Sequence, residues 1–175
     1  MPQVWSPDVA FRAPRIELQE DKESMTWLLE LLHVLSNEGS LILNTEPLVP
    51  DSVIAPIARL ADKYNVAGLV KAFFCATTIN TWSREPFWQT FILGVATKDI
   101  TLCRKSISKF RSTTKAVFYW SQADARLVGV DVYWALVKVT EEWIDTEVEH
   151  FDGERDVIDW DWITERVDWP GILGV

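Results

Sequence analysis

Cysteine is nearly absent from this 175-residue chain, with Cys75 and Cys103 the only two. A secreted disulfide scaffold uses more, so a reducing compartment, cytosolic or nuclear, is the expectation. Histidine is equally scarce. His33 and His150 stand far apart, and with two scattered cysteines they make no zinc-ligand spacing, so no metal is expected. No glycine-rich phosphate loop occurs, which leaves nucleotide cradling without its motif, and no cofactor is expected. No apolar run reaches the roughly 18–20 residues that span a bilayer. Met1–Pro7 has no basic region followed by an apolar stretch, so neither a signal peptide nor membrane association is expected.

Nucleophile signals are thin as well. Ser106 and Lys109 have the spacing of a serine–lysine pair, but the companion motifs are missing. Cys75 has no nearby base to make a thiolate. Asp159 and Asp161 are close enough for acid–base work, yet they sit in an acidic run that reads as a solvated face. An enzyme is not expected.

Tryptophan, in contrast, is abundant. Ten tryptophans and 48% apolar residues support a single domain or one domain with a packed extension. Each indole requires a large buried pocket or a wet interface for its N–H, so an aromatic core or an aromatic binding surface follows. The net charge of −9 is unevenly placed. Residues 141–168 hold twelve acids against Arg155 and Arg166, whereas residues 98–126 hold seven bases against Asp99 and Asp124. Such asymmetry concerns partners and steering rather than fold.

Along the chain, residues 1–14 carry three prolines and read as an arm. Arg15–Leu18 alternates and predicts a short strand, and Ser40–Asn44 a second. Ser24 is expected to cap a helix ending near Asn37. Its leucines occupy two faces, which predicts a place at the centre of the fold. Asp51 or Ser52 is expected to cap a second helix with Val53, Ile54, Ile57, Leu60, Ala61 and Tyr64 inward. Pro56 is tolerated if it lies near the first turn. Asn65 is expected to cap a third helix, and Asp99 a helix with Ile100, Cys103, Ile107 and Phe110 on one side. Between them, Glu85-Pro-Phe opens another helix. Ser112–Trp120 suits strand or helix. A long helix is predicted from about Gln122 to Glu149, with Leu127, Val130, Trp134, Val137 and Ile144 inward, and a short one follows over Val157–Val167. The expected class is mainly α, with one or two short strands.

Five phrases in residues 11–82 occur in a familiar order: Arg15-Ile-Glu-Leu18, Glu20-Asp21, Leu28-Leu-Glu-Leu-Leu-His33, Val49-Pro50 and Ile57-Ala-Arg-Leu-Ala-Asp-Lys-Tyr64. This order resembles the second half of a BTB/POZ domain, as in the BTB-like proteins common in fungi. The resemblance implies an arm over 1–14, a truncated BTB-like helical core over 15–82, and a packed helical extension over 83–175. It implies a non-enzymatic adaptor or assembly module that binds other proteins. The family's first half, which carries its dimer interface and its cullin-contact phrase, has no counterpart before Arg15. The open face of such a core is expected to be covered by the C-terminal helices or by a partner.

The acidic, tryptophan-rich C-terminus supplies the candidate contact residues. Trp143, Trp160, Trp162 and Trp169, rimmed by Asp159 and Asp161, read as an aromatic anchor for a basic protein partner. The plainer alternative has Ile158 and Trp162 docking the last helix while the acids face water. An acidic regulator that occupies a basic or nucleic-acid-binding site of a target is the runner-up function. A tryptophan-walled small-molecule pocket is a third. Nucleic acid itself is not an expected partner. The basic stretch is expected to meet the acidic segment, within the fold or in a neighbouring copy, so homo-oligomers are allowed.

Overall fold

The helices begin and end where side chains satisfy stray backbone groups. The computed structural model describes residues 20–37, 49–77, 87–110, 117–148 and 158–175, and among these the chain is mainly helical with no strand. Both expected strands, at Arg15–Leu18 and Ser40–Asn44, lie outside the described residues, as does the arm.

Helix α1 spans Lys22–Asn37. Its cap is Asp21, whose carboxylate accepts from the Ser24 amide at 2.8 Å and the Ser24 hydroxyl at 2.6 Å. Ser24 is thus a buried first-turn residue, not the cap. Leu28 and Leu31 are buried but Leu29 is 58% exposed, which places α1 at the edge of the fold and not at its centre.

Helix α2 (Asp51–Lys63) buries Val53, Ile54, Ile57, Ala58, Leu60 and Ala61 on one stripe, while Tyr64 beyond it is exposed. Pro50 precedes it, and Asp51 does not cap it. Pro56 lies in the second turn, where it leaves the Ser52 carbonyl without its usual amide partner. Asn65 closes α2 instead of opening the next helix. It adopts φ 57°, its amide reaches Asp62 O at 3.0 Å, and the Val66 amide reaches Ala61 O at 2.7 Å. Those two bonds and the left-handed residue define a Schellman end.

Helix α3 (Ala67–Thr77) buries Val70, Phe73 and Phe74. Helix α4 (Trp88–Ala96) buries every residue from Trp88 to Gly94 except Gln89, and it packs on α2 and α3. It is the central helix. A second Schellman end follows it, with Lys98 at φ 56° and the Asp99 amide on Gly94 O at 2.9 Å. Asp99 then caps α5 (Ile100–Ile107) as expected, accepting from the Leu102 amide at 2.9 Å. Helix α4 packs on α5 so closely that a Cβ on Gly94 would stand 3.0 Å from both the Cys103 amide nitrogen and its sulfur.

Val117–Tyr119 forms one 3₁₀ turn. The expected long helix is two: α6 (Gln122–Val128) and α7 (Val130–Val148). Ser121 and Asp124 close a capping box at the start of α6. Gly129 parts the helices at φ 86°, ψ 141°, a conformation that side chains resist even though nothing crowds the position. The break resets the helical phase. In α7 the buried residues are Val132, Leu136, Val137, Val139, Thr140 and Trp143, while Val130 and Trp134 turn outward. Two short helices, α8 (Trp160–Arg166) and α9 (Trp169–Leu173), are capped by Asp159 and Asp168. One hydrophobic core runs from Leu28 to Leu173, so the segments on either side of residue 82 share it.

Candidate functional site

Aromatic rings connect the centre of the core to its surface. Trp88 and Phe91 of α4 meet Phe110 and Trp120, and Phe110 meets Trp160 edge-on at 5.6 Å. Trp169 joins at Phe91, with its indole N–H on Thr164 O at 2.9 Å. Outward from Trp120, Tyr133 lies 6.2 Å away, and Tyr133 in turn meets Trp134 at 5.5 Å. Trp134 is 60% exposed. The 3₁₀ turn packs on α7 and brings Tyr119, 73% exposed, and the partly exposed Phe118 to the same pair of elements.

Charge continues this face. Beyond Trp134, the charged outward positions of α7 are Lys138, Glu141, Glu142 and Asp145, spaced by three and four residues. Lys138 and Glu142 stand 3.9 Å apart on the exposed surface, a contact of little energetic weight. The outer side of α7 therefore carries Val130 and Trp134 beside Asp131 at its start, and mostly acids, with Lys138 among them, toward its end.

The six residues singled out from the sequence divide differently. Trp160, 3% exposed, and Trp169, fully enclosed, are core residues, as is Trp143. The caps at Asp159 and Asp168 and the rings of Phe110 and Phe91 turn Trp160 and Trp169 inward, so these rings are enclosed and not presented at the surface where an anchor was expected. Trp162 is half-buried, and the Arg166 guanidinium lies 3.6 Å from its ring centroid, covering one face by a cation–π contact. Asp159 is exposed, but it holds the Trp162 amide at 3.0 Å as a cap. Asp161 is exposed in the first turn of α8. Ile158 is buried against the core, the docking role given to it in the plainer alternative. The surface residues that sequence reasoning missed are Trp134 and Val130, both placed inward by treating 122–149 as one helix. Gly129 was the available signal.

Chemistry-bearing groups lie apart from one another. The Cys103 thiol is pushed up to about 12, by burial first and then by the negative charge of Asp99, so it stays a thiol. Cys75 and His33 are exposed on different helices. Ser106 is buried with no partner for its hydroxyl, while Lys109 is exposed. Among the described residues no three His, Cys, Asp or Glu side chains gather as a metal set, and no helix is long and apolar enough to cross a membrane. His150 lies outside the described residues.

One cleft of about 220 Å³ opens between α2, α3 and α4. Small residues (Ala58, Ala61, Ala67, Gly68) form its walls, and the Lys71–Asp99 ion pair stands at its rim. Burial raises the Asp99 pKa, but the hydrogen bond from Lys71 and the Leu102 amide outweigh it, so the carboxyl titrates below its ordinary 3.8. The cleft is smaller than most ligand pockets. It holds no tryptophan.

No family model, no curated protein and no solved structure matches this chain.

Proposed function

We propose that this chain is a non-enzymatic protein-interaction module, of the adaptor or assembly kind that the BTB-like resemblance over residues 11–82 implies, acting in the cytosol or nucleus. Its working surface is the outer side of α7 with the neighbouring 3₁₀ turn. Its partner presents a basic segment whose apolar or arginine side chains meet Trp134. The carrying observation is the exposed Trp134 and Tyr119 beside an acidic helix face.

The physical logic is that of an interface hot spot. Tryptophan and tyrosine bury large area at low entropic cost, and they contribute most where charges surround but do not interrupt them. Acids at the end of α7 add on-rate and selectivity for a basic partner more than raw affinity. A supported aromatic chain behind Trp134, through Tyr133 to Trp120, limits its freedom before binding.

The test compares wild type with Tyr119→Ser/Trp134→Ser as baits for affinity capture and mass spectrometry, with both proteins melted in parallel. Unchanged melting with loss of the captured proteins supports the assignment. For one purified partner, the expected weakening is about 30-fold, equivalent to about 2 kcal/mol. Equal capture by the two baits overturns it.

A further inference from the structure

Two oppositely charged faces of the molecule are left largely without ionic partners. On α5 and just beyond it, Arg104, Lys105 and Lys109 are exposed at helical spacing, and no described ion pair includes them. On α7, Glu141 and Asp145 are likewise unpaired, and Glu142 meets Lys138 only loosely. The sequence allowed the basic stretch to meet the acidic segment inside the fold. The two do meet, with α5 packed on α8 and Phe110 on Trp160, but among the described residues no ion pair joins them: the ion pairs are Lys63–Glu20, Lys71–Asp99 and Lys138–Glu142. Helices α5 and α7 each pack on α8 through buried side chains and keep these charges outward.

We propose that the basic face of α5 in one copy of this chain docks on the acidic, Trp134-bearing face of α7 in a second copy. The proposal rests on the reading of the α7 face given above and names its occupant. Charge complementarity carries it: Arg104, Lys105 and Lys109 are exposed on one face, and Glu141, Glu142 and Asp145 are exposed on the other, with Lys138 the one base among them. An arginine or lysine set over the Trp134 ring adds a cation–π contact that an acidic or neutral partner would lack. The net charge of −9 opposes self-association at long range. At about 0.1 M salt that repulsion is screened beyond about 10 Å, whereas pairs in contact are screened less. Association should therefore be strongest at moderate ionic strength and vanish at high salt.

Sedimentation or light scattering of the full chain reads this directly. In about 0.1 M salt the mass should rise with protein concentration, and in about 1 M salt, where screening reaches about 3 Å, it should return to the monomer. Arg104→Gln/Lys105→Gln/Lys109→Gln should weaken association about tenfold, and so should Glu141→Gln/Glu142→Gln/Asp145→Asn. All six positions are exposed, so both triple variants should melt like wild type. An equimolar mixture of the two should pair again, because each supplies the face that the other lacks. A wild-type chain that stays monomeric in both salts overturns the proposal, and so does a mixture no better associated than either variant alone. If the wild type is monomeric while Tyr119→Ser/Trp134→Ser still loses captured proteins, only the self-pairing fails and the α7 surface stands.

Discussion

Trp169 and Trp134 are the same side chain with opposite fates. Trp169 opens a five-residue helix, yet it is fully enclosed, because Asp168 caps that helix and the Thr164 carbonyl accepts a hydrogen bond from the indole N–H. Trp134 sits within the 19-residue α7 and still faces water, because the phase set at Gly129 gives the inward positions to Val132 and Leu136. The difference teaches that aromatic density does not locate a binding surface. What locates it is the point at which each helix starts its turn count.

Truncation of the rings is the largest test of that contrast. Trp169→Ala or Trp160→Ala should cost about 3–5 kcal/mol of stability, as expected for a large core aromatic. Trp134→Ala should stay within about 0.5 kcal/mol. Equilibrium denaturation with urea measures all three. Equal losses at Trp134 and Trp169 would erase the distinction between enclosed and outward rings. A smaller effect should come from Gly94, beneath the same aromatic layer. Gly94→Ala gains about 1 kcal/mol of helix propensity. It also drives a methyl against the Cys103 backbone nitrogen, and overpacking of that kind costs about 1–3 kcal/mol. The net expectation is a loss of up to about 2 kcal/mol. A gain would mean that α4 and α5 separate easily.

Much of the fold is local, and that part could be read from residues alone. Asp99 is followed by an amphipathic turn and caps it. The α2 stripe from Val53 to Ala61 repeats at three and four, and it is buried. Asn65 closes α2 although its side chain suits an N-cap equally well, because a left-handed C-terminal residue and an N-cap favour the same residue type, and only φ tells them apart. Gly129 went unread because an isolated glycine is tolerated inside a helical pattern, so periodicity alone does not reveal a break. The role of Asp51 was not legible at all. It accepts from the Trp88 indole at 3.1 Å and the Gln89 amide at 3.0 Å, contacts 37 and 38 residues away. Of the candidate site, the acidic and aromatic character was visible, whereas its location required tertiary packing.

Asp99 tests the comparison by charge instead of volume, because it lies half outside the core and joins α3, α4 and α5. Its folded pKa is below the ordinary value, so its contribution is complete above about pH 4 and disappears as pH falls through the depressed folded value. Asp99→Asn keeps a cap acceptor and removes the charge that Lys71 meets. Asp99→Ala removes both and should cost about 1 kcal/mol at neutral pH, the usual weight of a lost cap. The stability gap between wild type and Asp99→Asn should narrow on acidification, as followed by thermal melts from pH 7 to pH 3. A gap that is constant with pH would show that the Lys71 pair adds nothing.

Two buried serines should respond to truncation with opposite signs. Ser24 gives its hydroxyl hydrogen to Asp21 at 2.6 Å, which helps hold the Asp21 carboxyl below its ordinary range, so Ser24→Ala should destabilise. Ser106 is as deeply buried, but its hydroxyl has no partner. An unsatisfied hydroxyl keeps its desolvation penalty, and deleting one oxygen leaves only a small void. Ser106→Ala should therefore raise stability by about 1 kcal/mol, read as a higher denaturation midpoint at unchanged slope. A loss instead would mean that the Ser106 hydroxyl is bonded in solution, and that the inner face of α5 is wetter than the enclosed aromatics around it imply.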